Sequence, residues 1–424
     1  MLIIFLLLLL LGVPIFLVIL IASFAGFLYL SDYSLFRIMV QQFFGGMNSF
    51  TLLAIPFFIM AGNLMNRSGI TDKLLEFSRV LVGSFRGGLG YVNVLTNIVF
   101  AGISGSAAAD VSAVGAILIP AMEKEGYDRS YAAGLSAGSS LIGPIIPPSI
   151  FMILYASMTN TSVGSLFIAG IIPGLLLGMA FMIMNYYYSR KNNYPVSNER
   201  AGVKKIIKTT LESSIALTGP LIIIGGIVAG VATPTEVGAL AIFYITIVGF
   251  FITRKLRIKH FIEAIYETAR NTAVIFVIMG SATVIGWLFK WEQIPQKFAS
   301  SMLTLTDNST ILLIILSLMI FVIGMFMEEV ATLILLTPVL YPVAIYSGID
   351  PLHFGIVMTL NITIALITPP MGACVYIVSV IGKVKLETLF KTIWPFVAVA
   401  MIVLLLIILF PYLTLILPRL FFNI

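Results

Sequence analysis

From Ser130 to Ser189 the chain runs sixty residues without one charged side chain. Further uncharged runs occupy 1–31, 38–66, 213–235 and 392–418, each at or above the ~20 residues that cross a bilayer as helix. Backbone in hydrocarbon has to hydrogen-bond to itself, which leaves only helices and closed barrels. The runs are apolar throughout, whereas barrel strands alternate apolar and polar residues in ~10-residue segments, so helices are selected. Composition agrees: 60% of the 424 residues are hydrophobic and 10% charged, against about a quarter charged in soluble domains. The chain therefore reads as an all-α polytopic membrane protein. Its opening MLIIFLLLLLLG has no basic flank and no small-residue cleavage site, so it is expected to stay as membrane helix.

The longest uncharged run is interrupted at mid-depth by LIGPIIPPSIFMILYAS (141–157), with Pro144, Pro147 and Pro148. Proline removes a backbone donor and clashes with the preceding turn, so consecutive prolines end a helix locally. The interruption recurs. Shifting the chain by 222 residues superposes Gly102 on Gly324, Pro120 on Pro342, Gly126 on Gly348, Asp128 on Asp350, and Pro147-Pro148 on Pro369-Pro370. Near the start of each half, Pro14 matches Pro234 at an offset of 220. The matched residues are those that shape backbone, which identifies an internal duplication.

Each half is expected to hold scaffold helices, a hairpin of half-helices, a proline-broken helix and a closing helix. The first repeat is read as 1–190, with scaffold helices in 1–66 and hairpin plus broken helix in 91–157. A cytoplasmic linker, 191–212, leads to the second repeat, 213–424. That repeat has scaffold helices in 213–253, an interfacial arm at 258–270, and hairpin plus broken helix in 310–380. A hairpin that enters and leaves on one side gives each half an odd number of crossings, so the repeats have inverted topology. Lysine and arginine support one orientation: twenty fall in segments that this topology puts inside and four in those outside.

The hairpin tips are GISGSAAAD (102–110) and GMFMEEVA (324–331). An ionisable side chain in the membrane is unfavourable by roughly 2.5–3.5 kcal/mol and normally faces a cavity or a partner. Carbonyls freed at a helix break and serine hydroxyls are hard oxygen ligands suited to Na⁺, and half-helix N-termini attract anions. One cation region is therefore expected at Ser104, Gly105, Ser106, Gly143, Ile146 and Pro147. A second is expected at Gly324, Met325, Glu329, Thr368, Pro369 and Gly372. The solute is expected between them, near Ser104, Pro148, Ser149 and Asp110.

Other candidates read as structural. Glu236, behind Thr233-Pro234-Thr235, suits a capped helix start. His260 and His353 are isolated, with no partner at metal-ligand spacing, and are read as surface or interface residues, so no transition metal is expected. The lone Cys374 is read as a buried thiol, and Tyr186–Tyr188 as an interfacial aromatic belt. Without a GxxxxGK[ST] sequence or a nucleophile–base cluster, ATP hydrolysis and membrane-embedded enzymology are disfavoured, and no organic cofactor is expected.

GISGSAAADVSAVGAILIPAMEKEGYD, IGPIIPPS, ATPTEVGALA and ITPPMGACVYIVS resemble the large membrane subunit of TRAP transporters, the tripartite ATP-independent periplasmic family. The resemblance covers nearly the whole chain. It implies a sodium-coupled importer of organic acids in the bacterial inner membrane, working with a small membrane subunit and a periplasmic substrate-binding protein. It also implies an elevator-type ion-transporter fold, in which hairpins and broken helices move against a scaffold. Sialic acid is the expected solute by overall likeness, with C4-dicarboxylates and sugar acids as alternatives, and a stand-alone Na⁺-dependent anion transporter as another. An acidic residue followed by proline is expected after Met327, where this chain has Glu328-Glu329. The chain begins at its first helix, without the small-subunit helices of fused members, so the small subunit is expected as a separate chain.

Overall fold

The computed structural model describes residues 1–30, 35–196 and 202–422. Part of the expected linker, 197–201, and residues 31–34 within the scaffold stretch expected at 1–66 lie outside the described residues. Among the described residues the fold is helical, with one isolated antiparallel bridge, Arg86 to Val196, and no strand. Six helices are long and apolar enough to cross a membrane, or seven if Leu386–Thr392 and Trp394–Leu409, bent by 40°, form one span.

The duplication is legible in the backbone. The second arm of the first hairpin is Ala107–Lys124 and that of the second is Glu329–Tyr346; both termini differ by 222. Each arm is followed by a glycine with positive φ, Gly126 at 90° and Gly348 at 74°, the left-handed turn in which glycine is least strained. Each broken helix then starts on an aspartate cap. Asp128 accepts from the Tyr131 N–H, and Asp350 from those of Leu352 and His353. The broken helices run Arg129–Ser140 then Ile150–Thr159, and Pro351–Ala365 then Ala373–Gly382. In both, the diproline contains a cis peptide bond.

The remaining helices pack around these elements. Val163–Lys191 closes the first half, packing on the hairpin arm Gly88–Ser104 and on the C-terminal helices Trp394–Leu409 and Tyr412–Phe422. The scaffold is built from Ile15–Tyr29, Leu35–Met47, Ala54–Ser68, Val203–Val228, Pro234–Ile247 and Ile258–Trp291. The start of Pro234–Ile247 is a capping box: Glu236 Oε2 accepts from the Thr233 N–H at 2.7 Å, and Thr233 Oγ1 from the Glu236 N–H at 3.4 Å.

Several boundaries differ from expectation. The interfacial arm 258–270 is not a separate element but the first part of the 34-residue helix Ile258–Trp291, because neither glycine nor proline interrupts 258–279. The helix expected from 213 starts at Val203 and takes up half of the linker, as its lysines are good helix formers. Ile70–Val82 and Ile294–Leu303 are further helices, between the expected elements. The first two helices, Leu2–Leu10 and Ile15–Tyr29, are distinct, separated at Gly12, whose φ is 71°. His353 is not at the surface: it is 2% exposed, with Nδ1 2.9 Å from Thr414 Oγ1, because the C-terminal helix covers the start of its own helix. Cys374 is fully buried.

Asp128→Ala and Asp350→Ala should each destabilise the fold by about 1 kcal/mol through loss of the cap. Thermal unfolding of the purified variants in detergent checks this, with equal effects expected at the two related positions.

Candidate functional site

The first hairpin turns in two residues. Gly105 takes the left-handed conformation with φ at 62°, ending Gly88–Ser104, and Ser106 starts the next arm by accepting from the Ala109 N–H at 3.4 Å. The second hairpin turns over the four residues Met325–Glu328, without a left-handed glycine, and caps its second arm with a different side chain. Glu328 stands 222 residues after Ser106, and its carboxylate accepts from the Ala331 N–H at 2.8 Å. The acidic pair after Met327 thus contains a helix cap, and the chain reaches its arm without proline.

Each tip lies against its own break. A Cβ on Gly105 would sit 2.4 Å from the Pro148 carbonyl oxygen, so only glycine lets the tip approach the diproline this closely. In the second half the Met371 N–H donates to the Met325 carbonyl at 3.3 Å. Gly324 packs on Ala365, and Thr368 donates its hydroxyl to the Ile364 carbonyl at 2.8 Å. The expected regions Ser104–Ser106 with Gly143–Pro147, and Gly324–Glu329 with Thr368–Gly372, are therefore each contiguous in space.

Behind the first tip is a buried carboxylate. The Ser104 hydroxyl donates to Asp110 Oδ1, while Asp110 Oδ2 has no hydrogen-bond partner among the described residues. Oδ2 points at the break, where a Cβ on Gly143 would come within 2.2 Å of it. Ser149 is fully buried and caps Ile150–Thr159, accepting from the Met152 N–H at 3.3 Å.

In front of the tips is a cavity of about 390 Å³, within the ~300–1,000 Å³ usual for small-molecule sites. The tips contribute Ser104–Ala107 and Glu328–Val330, with Ile150 and Phe151 after the first break and Leu366 at the second. Of the expected residues, Ser104, Gly105, Ser106 and Glu329 line this space. Asp110, Pro148 and Ser149 lie behind the wall, and Gly143, Ile146 and Pro147 lie within the break. The remaining boundary comes from the scaffold: Ile59, Gly62 and Asn63 of Ala54–Ser68, and Arg270, Asn271, Val274 and Ile275 of Ile258–Trp291. These scaffold residues went unrecognised because 258–270 was read as a separate interfacial arm. The spacing Glu263, Glu267, Arg270, Val274 marks one face of a continuous helix and would have pointed to them.

Two half-helix hairpins meeting two interrupted helices around one cavity define a membrane transporter fold. The structure superposes on that of the YdaH transporter of Alcanivorax borkumensis with a TM-score of 0.65, covering 90% of this chain and 89% of that one, at 14% sequence identity. That likeness concerns the fold. The family model for the "Tripartite ATP-independent periplasmic transporter, DctM component" matches residues 2–413. The sialic acid TRAP transporter large permease protein SiaM of Vibrio cholerae is 41% identical over 398 residues, 94% of this chain and 93% of SiaM. The C4-dicarboxylate TRAP transporter large permease protein DctM of Pseudomonas aeruginosa is 35% identical over 383 residues, covering 90% of each. The chain belongs to the DctM family of TRAP transporter large permeases. It is a multi-pass protein of the bacterial inner membrane whose work is transport, not catalysis.

Gly105→Ala should destabilise the hairpin by about 1–3 kcal/mol, through a left-handed backbone and a collision with Pro148. Gly126→Ala, which would meet nothing within 4 Å, carries only the backbone cost. Comparing the two by thermal unfolding separates the tip contact from conformational strain.

Proposed function

We propose that the chain is the large subunit of a Na⁺-coupled importer that carries a carboxylate-bearing organic acid through the inner membrane by an elevator movement. The observation that carries this reading is the cavity bounded on one side by both hairpin tips and on the other by scaffold helices. Each tip rests on backbone released by a diproline break, which offers oxygen ligands for one Na⁺ per repeat. With the repeats inverted, hairpins and broken helices form the moving body, and the scaffold stays in place. A small membrane subunit and a periplasmic substrate-binding protein complete the transporter. Sialic acid is the preferred solute, supported by the 41% identity to SiaM. C4-dicarboxylates and sugar acids are the alternatives.

The test is uptake into proteoliposomes under imposed Na⁺ gradients, using N-acetylneuraminate, succinate and a sugar acid, with and without the two partner proteins. Uptake that needs Na⁺ and both partners is expected; uptake by this chain alone would replace the tripartite reading with a stand-alone transporter. Ser104→Ala, Pro148→Ala and Ser149→Ala should each lower Na⁺-dependent uptake with expression retained. For the two serine variants, loss of one hydroxyl hydrogen bond, about 1 kcal/mol, corresponds to roughly fivefold. Unchanged Na⁺ dependence in all three variants would sink the tip-and-break assignment.

A further inference from the structure

Arg270 is the one basic residue among the described residues that line the cavity, and it comes from the scaffold rather than from either tip. Its own helix shows why it is available. Glu263 and Glu267, two turns and one turn earlier on the same face, are both held by Arg67 of the neighbouring scaffold helix, at 2.5 and 2.6 Å. This double ion pair ties that face of Ile258–Trp291 to Ala54–Ser68, the other scaffold helix bounding the cavity, and Arg270 and Asn271 line the cavity. Among the described residues Arg270 has neither an ion pair nor a hydrogen bond. The second hairpin tip brings the other sign to the cavity. Glu329 lines it, and Glu328 lines it with one oxygen engaged by the Ala331 N–H.

We propose that Arg270 receives the carboxylate of the solute, and that this charge layout selects a monocarboxylate with a neutral, hydroxyl- or amide-rich body over a dicarboxylate. A guanidinium offers a planar fork that matches a carboxylate with two parallel hydrogen bonds. A solute held that way extends its far end toward Ser106, Glu328 and Glu329. Hydroxyls and amides can donate to carboxylates there, whereas a second carboxylate would face like charge while Arg270 is engaged by the first. The inference rests on the organic-acid reading above and narrows it to one of its alternatives. Arg270 belongs to neither expected Na⁺ region, so it governs solute recognition separately from sodium activation.

The experiment measures binding of N-acetylneuraminate and of succinate to the purified membrane protein in Na⁺ by calorimetry, without the periplasmic protein, whose own recognition of the acid would mask the effect. The wild-type chain is expected to bind N-acetylneuraminate at least tenfold more tightly than succinate, and more tightly than the carboxamide of N-acetylneuraminate by a similar factor. Arg270→Gln should weaken N-acetylneuraminate about tenfold or more, the scale of a charge-assisted hydrogen bond. It should also erase the preference for acid over carboxamide, leaving the Na⁺ concentration for half-maximal binding within twofold. Arg270→Lys, which keeps the charge and loses the fork, should fall between. Glu328→Gln, which can still cap its helix, should strengthen succinate relative to N-acetylneuraminate. The carboxamide comparison on the wild-type protein needs no variant to fold, and equal affinity for acid and carboxamide overturns the proposal. So does succinate binding as tightly as N-acetylneuraminate, or an unchanged affinity in Arg270→Gln. A wild-type chain that binds none of these acids in Na⁺ overturns the organic-acid reading as well, whereas Na⁺-dependent binding indifferent to Arg270 overturns this inference alone.

Discussion

Peptide groups inside hydrocarbon have to find hydrogen-bond partners within the protein, and a helix interrupted by two prolines leaves several without one. Both breaks are covered by a hairpin tip. In the first half Gly105 lets the turn settle onto the Pro148 carbonyl; in the second, Met371 reaches the Met325 carbonyl across the same junction. The small residues of the first tip follow from this demand, since any larger side chain would hold the turn away from the break. Closing helices add to the cover: a Cβ on Gly170 would lie 2.2 Å from the Ile145 carbonyl oxygen, so Val163–Lys191 approaches the first break as closely as a backbone can.

The related halves are not equivalent in charge. Ser106 and Glu328 do the same local work, each supplying an acceptor to the first turn of its arm. One brings a neutral hydroxyl and the other a carboxylate, which also complements the helix dipole. The cavity between them therefore has a polar wall and an acidic wall, although both descend from one duplicated unit. Arg270, contributed by a helix outside both hairpins, is what balances the acidic side.

Much of this was legible in the residues, for definable reasons. Uncharged runs and proline pairs act through the backbone, so the helical class, both hairpins and both breaks follow from local chemistry, and the 222-residue offset recurs in turn glycines and aspartate caps alike. Less legible was anything set by which helices meet. Ser149 and Asp110 are expected near the solute because they are polar in an apolar stretch; that one caps a helix and the other lies behind the tip against Gly143 depends on packing that their own segments do not encode. The start of Ile258–Trp291 looked interfacial because it is basic and amphipathic. Two of its carboxylates, Glu263 and Glu267, are held by Arg67, a partner nearly two hundred residues away that no local pattern announces.

That helix also has a mechanical meaning. At ~1.5 Å per residue its 34 residues extend about 50 Å, against ~30 Å of hydrocarbon. Its counterpart in the first half is divided between Leu35–Met47 and Ala54–Ser68, with a short 3₁₀ turn between. One half is thus braced by a single stiff beam and the other by a jointed pair. A load applied to the frame would be carried straight along the beam and bend at the joint, so any yielding of the frame concentrates around Asn48 and Ser49.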